Sequence, residues 1–172
     1  MRRTTVIFLA MEPFEINKTA TREPLWRLGE ILVQRGWIQW PELETALELQ
    51  KNNNRPIGEI LLHQGVISQD TLFEALAIQF GKQFVKIKNL RPQTSAIKMI
   101  PKHFVYEHRV MPLVFNEGQL LVAINDPLDM WPMSILEKIT GIREIETVLA
   151  TPNDIQEAIE NFYGPEGPSI LS

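Results

Sequence analysis

Two stretches of the chain carry the same hydrophobic pattern, 29 residues apart. Leu28, Gly29, Glu30, Ile31, Leu32 and Val33 are followed by Gly36, Ile38, Leu43, Ala46, Leu47 and Gln50. Ile57, Gly58, Glu59, Ile60, Leu61 and Leu62 are followed by Gly65, Ile67, Leu72, Ala75, Leu76 and Gln79. Of these twelve pairs ten are identical and two exchange apolar residues, so the register holds through both copies. Each copy reads as two helices. Leu28, Ile31 and Leu32 fall at i, i+3 and i+4, which builds one apolar stripe. Gly36 and Gly65 fit the left-handed residue that closes a helix, because glycine reaches positive φ without a Cβ clash. Leu43, Ala46, Leu47 and Gln50 then recur at i, i+3, i+4 and i+7, as do Leu72, Ala75, Leu76 and Gln79. Ser68 is a good N-cap for the last helix. Its counterpart Gln39 is a poorer one, but Pro41 sits in the first turn, where it costs little.

The glutamine closing each stripe stands where the pattern calls for an apolar residue. A buried amide without partners costs on the order of 1–3 kcal/mol. One such glutamine reads as a cap on a neighbouring backbone group. Two at the same phase point to a shared task. Gly29 and Gly58 sharpen the question, since glycine near a helix start costs about 1 kcal/mol relative to alanine. Its missing side chain lets something approach the backbone, either a partner helix or a ligand. Arg27 precedes the first glycine and Arg55 lies three residues before the second. Either can pair with a phosphate, and bare N–H groups at a helix start favour anions.

Beyond Gly81 the pattern changes. Phe84 to Ile87 is strand-like. Pro92 and Pro101 bracket a short helix over Thr94 to Ile100, and Lys102 to Tyr106 can add one more turn. Val110 to Phe115 reads as a strand, with Pro112 marking an edge. Asn116-Glu117-Gly118 is a hairpin turn, and Leu120 to Ile124 returns. Asn125-Asp126-Pro127 breaks that strand and starts a helix running to Thr140, with Pro132 as an alternative start and Gly141 as its end. Ile145 to Leu149 is a further strand. Thr151 caps a helix that opens on Pro152 and reaches Tyr163. Asp126, at a strand-to-helix junction, is either a plain helix cap or a functional carboxylate.

The expected fold class is therefore α+β. A tandem repeat of about four helices, residues 24–82, packs on a small α/β unit of β-β-α-β-α order, residues 83–164. Residues 1–23 are expected to be a flexible arm and 165–172 a flexible tail. Trp37 and Trp40 sit together at a helix turn and are either core or a docking patch.

Composition narrows the function classes. The chain is 44% apolar and 22% charged, which suits a soluble globular protein. With 17 basic and 21 acidic residues the net charge is −4. That lacks the basic excess of nucleic-acid binders and the dense basic cluster that docks on anionic membranes. The absence of cysteine excludes disulfides, thiolate metal sites and cysteine nucleophiles. Val6 to Met11 is too short for a signal-peptide core and is broken by Glu12 and Pro13. No stretch approaches the roughly 20 apolar residues of a membrane span. A cytoplasmic location is expected. No P-loop or dinucleotide-binding glycine motif is present. His63, His103 and His108 have no metal-ligand spacing, and no nucleophile–base pair is legible. An enzyme is not expected, and neither a cofactor nor a metal.

The unit R-L-G-x-x-L-V-x-x-G-x-I-x-x-x-x-L-x-x-A-L-x-x-Q, present over Arg27 to Gln50 and again from about Pro56 to Gln79, resembles the MshEN-type domain. That is the N-terminal (GspE N-terminal) domain of type II secretion and type IV pilus assembly ATPases. Met111-Pro112-Leu113, Leu120 to Leu128 with Asp129, Thr147 to Thr151 and Ile159 to Gly164 resemble its α/β part. The resemblance implies a ligand, the bacterial second messenger cyclic di-GMP, with one motif for each half. Carried over, the implied contacts in the first unit are Arg27, Leu28, Gly29, Leu32, Val33, Gly36, Leu43, Leu47 and Gln50. In the second they are Ile57, Gly58, Leu61, Leu62, Gly65, Leu72, Leu76 and Gln79, and Asp126 is added from the α/β part. Apolar side chains would cover purine faces, amides and the carboxylate would meet guanine edges, and arginine a phosphate. The second motif departs from the first at Pro56, where an arginine is usual, with Arg55 beside it. No ATPase domain follows, which implies signalling through a protein partner, such as a pilus or secretion component, or through self-association. The alternative is a ligand-independent interaction module of such a system.

Overall fold

A computed structural model describes residues 27–52 and 54–164. The expected arm and tail lie outside the described residues. The repeat forms four helices: α1 Leu28–Gln34, α2 Trp40–Asn52, α3 Ile57–His63 and α4 Gln69–Gln79. Both short helices end as the glycines require. Gly36 has φ 71° and Gly65 φ 69°. The amides after them reach back, Trp37 to the Leu32 carbonyl at 2.9 Å and Val66 to the Leu61 carbonyl at 3.0 Å. This is the Schellman closure, which satisfies carbonyls that the helix itself leaves open. Ser68 caps α4 by accepting the Thr71 amide at 3.1 Å. At the start of α2, where Gln39 is a weak cap, the Glu42 carboxylate accepts the Gln39 amide instead, the N3 half of a capping box.

The two pairs pack reciprocally. Helix α1 lies on α4 and α3 lies on α2, while α1 and α3 touch each other. Leu32 and Leu61 are fully buried at the centre. The close approach expected at the two glycines is explained here. A methyl at Gly29 would stand 2.5 Å from Leu43 Cδ1. One at Gly58 would stand 2.6 Å from Leu72 Cδ1 and 3.1 Å from Leu28 Cδ2. Neighbouring helices fill the space at both positions, so packing alone accounts for the glycines.

The units differ on one face. Phe73 and Ala77 of α4 are buried, whereas Glu44 and Glu48, their counterparts in α2, are exposed. Helix α4 therefore has a second apolar face, and it packs on the sheet. After α4 come α5 Thr94–Met99 and α6 Lys102–His108, then β1 Met111–Asn116, β2 Gln119–Ile124, α7 Trp131–Thr140, β3 Glu144–Leu149 and α8 Pro152–Tyr163. This is the expected β-β-α-β-α order. The sheet order is β1-β2-β3, with β1 antiparallel to β2 and β2 parallel to β3. Glu117 (φ 48°) and Gly118 (φ 83°) make the hairpin turn, the positive-φ pair whose twist matches the strands. Pro112 lies on the edge strand, next to a shift in register before Val114.

Two expected elements differ. Phe84 to Ile87 is not a full strand but a single parallel bridge, Phe84 to Leu149. Leu149 donates to the Gln83 carbonyl and Val85 donates to that of Leu149. The Asp154 carboxylate then captures the Ile87 amide at 3.2 Å, and the chain turns into a 3-10 segment, Ile87–Asn89. Nor does the helix after β2 begin at Asn125. Asp126 accepts the Leu128 amide and Asp129 the Trp131 amide. These two Asx turns hold the chain out of helix until Trp131, so Pro132 marks the start.

We expect Gly29→Ala to lower stability by roughly 1–2 kcal/mol, overpacking outweighing the gain in helix propensity. In chemical denaturation the loss should shrink when Leu43→Ala is added, because the two share one space. Thr151, buried, accepts the Asp154 amide at the head of α8. Thr151→Ala should cost about 1–2 kcal/mol in the same assay.

Candidate functional site

The reciprocal packing brings the two motif starts together, with the Leu28 side chain against Gly58. The motif residues fall into three groups. Gly29, Leu32, Leu43, Gly58, Leu61 and Leu72 are buried. They form the floor of the helical layer and do not reach solvent. Leu28, Val33, Gln50, Ile57, Leu62, Leu76 and Gln79 are half-buried. Arg27, Gly36, Leu47, Gly65 and Asp126 are exposed.

The expectation of a continuous buried stripe in α2 is corrected. Leu43 and Ala46 are buried, but Leu47 is 41% exposed and Gln50 only half-buried. Among the described residues nothing like the sheet packs on the outer side of α2, and the outer part of its stripe is open there. Leu76, the counterpart of Leu47 in α4, is half-buried against the core.

Gln50 Nε2 donates to the Arg55 carbonyl at 2.8 Å. The partner is a backbone group of the α2–α3 linker, in line with the capping reading. Arg27 donates its own amide to Glu30 Oε2 at 3.0 Å, so the Glu30 carboxylate satisfies that N–H while the Arg27 side chain stays exposed. Pro56 at the same place in the second unit has no N–H to offer Glu59.

Asp126 stands on a separate loop after β2. Its Oδ1 accepts the Leu128 amide at 2.9 Å, an Asx turn rather than the helix cap considered from sequence. Beside it three large apolar side chains meet solvent: Leu128 at 73%, Met130 at 50% and Trp131 at 67% exposure. Sequence reasoning assigned this stretch to a helix and missed them. The alternation of Asp126, Leu128, Asp129 and Met130 around Pro127 was the available signal. Trp37 packs partly into the core, whereas Trp40 is exposed and donates its indole N–H to Glu44 at 2.8 Å.

Lys82 was also missed. It follows Gln79 by three residues, is half-buried, and donates to Thr147 Oγ1 in β3. Burial lowers its pKa from the usual lysine range. Lys86 is paired with Asp70, and that hydrogen bond and charge raise its pKa. Among the described residues no group of His, Cys, Asp or Glu could hold a metal ion. Among the described residues, too, no helix is long and apolar enough to cross a membrane.

Comparisons with known proteins agree with this architecture. The type IV pilus assembly ATPase PilB of Myxococcus xanthus is 35% identical over 144 residues, 84% of this chain. The chain spans only 25% of that relative's length. A structure of MshE with cdg superposes with a TM-score of 0.67 at 25% identity, covering 80% of this chain and 99% of that one. The N-terminal domain of XpsE shares the fold, with a TM-score of 0.56 at 21% identity over 80% of this chain and 94% of that one. The family model of the MshEN domain matches residues 80–169. That match takes in the joint after α4 and the whole β-β-α-β-α unit, more than half of the 172 residues. A chain in which this unit carries the packed helical repeat belongs to the MshEN domain family.

Proposed function

We propose that the chain is a receptor for cyclic di-GMP whose two repeat units take the two halves of the ligand. The observation that carries this reading is the reciprocal packing of the units, with the two motif starts in contact. A ligand made of two like halves suits a protein surface made of two like halves. The likeness to MshE with cdg, which we read as cyclic di-GMP, supports the same ligand.

In this reading the buried leucines and glycines hold the floor. Leu28, Val33, Leu47, Ile57, Leu62 and Leu76 offer apolar surface to the purine faces. Gln50 and Gln79 offer amides, and Arg27 meets a phosphate. Gly36 and Gly65 keep the helix ends free of side chains. Asp126, whose Oδ1 already holds its own loop, accepts guanine N1–H and N2–H. The chain binds rather than converts its ligand, and passes the signal to a protein partner in a type IV pilus or type II secretion system. The second reading, a docking module that needs no nucleotide, is favoured by the exposed Leu128, Met130 and Trp131, an apolar cluster of the kind that marks interaction surfaces.

Calorimetric titration with cyclic di-GMP tests the first reading. Absence of heat at millimolar ligand, from folded protein, sinks it. A pull-down of a pilus or secretion component that is indifferent to the nucleotide supports the second. Leu47→Ala separates binding from folding. Because Leu47 is exposed, its truncation should change stability by less than about 0.5 kcal/mol. It should still weaken cyclic di-GMP binding by about tenfold, the order expected for losing part of a buried leucine side chain. Gln79→Ala should weaken binding by roughly 1–3 kcal/mol, the range for an unmet buried hydrogen bond.

A further inference from the structure

The two helix starts that open the motifs have the same backbone geometry but different supports. In the first unit Glu30 and Ile31 donate to the Arg27 carbonyl at 2.9 and 3.2 Å. In the second Glu59 and Ile60 donate to the Pro56 carbonyl at 3.0 and 3.2 Å. At Arg27 the turn is locked by the bond from its amide to Glu30. Proline has no amide hydrogen, so that lock cannot form at Pro56. No side chain caps α3. What anchors the chain here is Gln50, which reaches five residues ahead from α2 to the Arg55 carbonyl at 2.8 Å. That carbonyl belongs to the peptide bond that Pro56 completes. Fixing it fixes the direction in which the chain enters α3.

We propose that Gln50 is a positioning residue for the second half-site: its amide, projecting from the first unit, tethers the linker where Pro56 lacks the bond that Arg27 makes to Glu30, and so sets the start of α3 around Ile57 and Gly58. This rests on the two-half-site reading above and deepens it, because Gln50 then serves the unit that follows rather than only its own. The first unit then helps to place the second by a side-chain bond in addition to helix packing. The chemistry asked of residue 50 is an N–H donor of about this length. An acceptor of the same shape does not serve.

Hydrogen exchange on the full chain without ligand reads the tether directly. In Gln50→Glu, which keeps the shape and loses the donor, the Glu59 and Ile60 amides should exchange roughly two- to tenfold faster, the range that one net hydrogen bond supports. The Glu30 and Ile31 amides should keep their wild-type rates, which separates a local effect from general unfolding. Gln50→Lys, again a donor, should restore protection at Glu59 and Ile60 and with it the affinity for cyclic di-GMP lost in Gln50→Glu. Gln50→Ala provides the same comparison without a new charge. Unchanged protection at Glu59 and Ile60 in both Gln50→Glu and Gln50→Ala overturns the proposal, and weakened binding with unchanged protection leaves Gln50 a direct contact only. A wild-type chain that takes no cyclic di-GMP, yet shows the exchange pattern, supports the tether and removes the receptor reading.

Discussion

The contact between the two glycine-led helices is the constraint on which the rest of the molecule depends. Helices α1 and α3 are each only seven residues long, well below the length at which an isolated helix holds in water. They persist because each is clamped between its own partner and the partner of the other unit. Leu28 reaches Gly58 only because no side chain stands there. Leu43 and Leu72 pack directly on the glycines. Moving the helices apart would uncover Leu32 and Leu61 together.

The joint to the sheet is built from different forces. Phe73 and Ala77 supply apolar burial. The chain leaving α4 is then tied at successive points, by Lys82 to Thr147, by Gln83 and Val85 to Leu149, and by Ile87 to Asp154. Asp154 also donates its own amide to Thr151, so the cap of α8 and the end of the joint share one residue. Two of these bonds join backbone to backbone, and two use the charged side chains of Lys82 and Asp154.

Much of this was legible in the sequence, and the failures have identifiable causes. The repeat, its glycine closures, the Ser68 and Thr151 caps and the β-β-α-β-α order all rest on local patterns, where neighbours in sequence decide the outcome. The late start of α7 was decided locally, by the turns at Asp126 and Asp129, and the rest from a distance. Phe84 to Ile87 looked like a strand until Asp154, far along the chain, took the Ile87 amide. Leu47 looked buried because periodicity marks a stripe without saying how much of it finds a partner. The pair Glu44/Phe73 and the pair Glu48/Ala77 did record which unit faces the sheet, but only as a difference between copies that otherwise share their pattern. The glutamines read as a single anomaly repeated; in three dimensions Gln50 acts on a linker ending in a proline that has no counterpart at Arg27.

The reciprocal arrangement of the helices has a consequence for how such a layer could arise. Cut at the linker between α2 and α3, it would be two separate helical hairpins with the same core pattern, each covering the other through the same pairs of helices. That is the interface of a two-fold homodimer, residue i meeting j while j meets i. The linker makes the association intramolecular, so it no longer depends on concentration. Once joined, the halves no longer need to be identical. One outer face could become apolar and take up a sheet while the other stayed acidic and in water. Duplication followed by such a division of labour turns a symmetric pair into a layer with an inside and an outside.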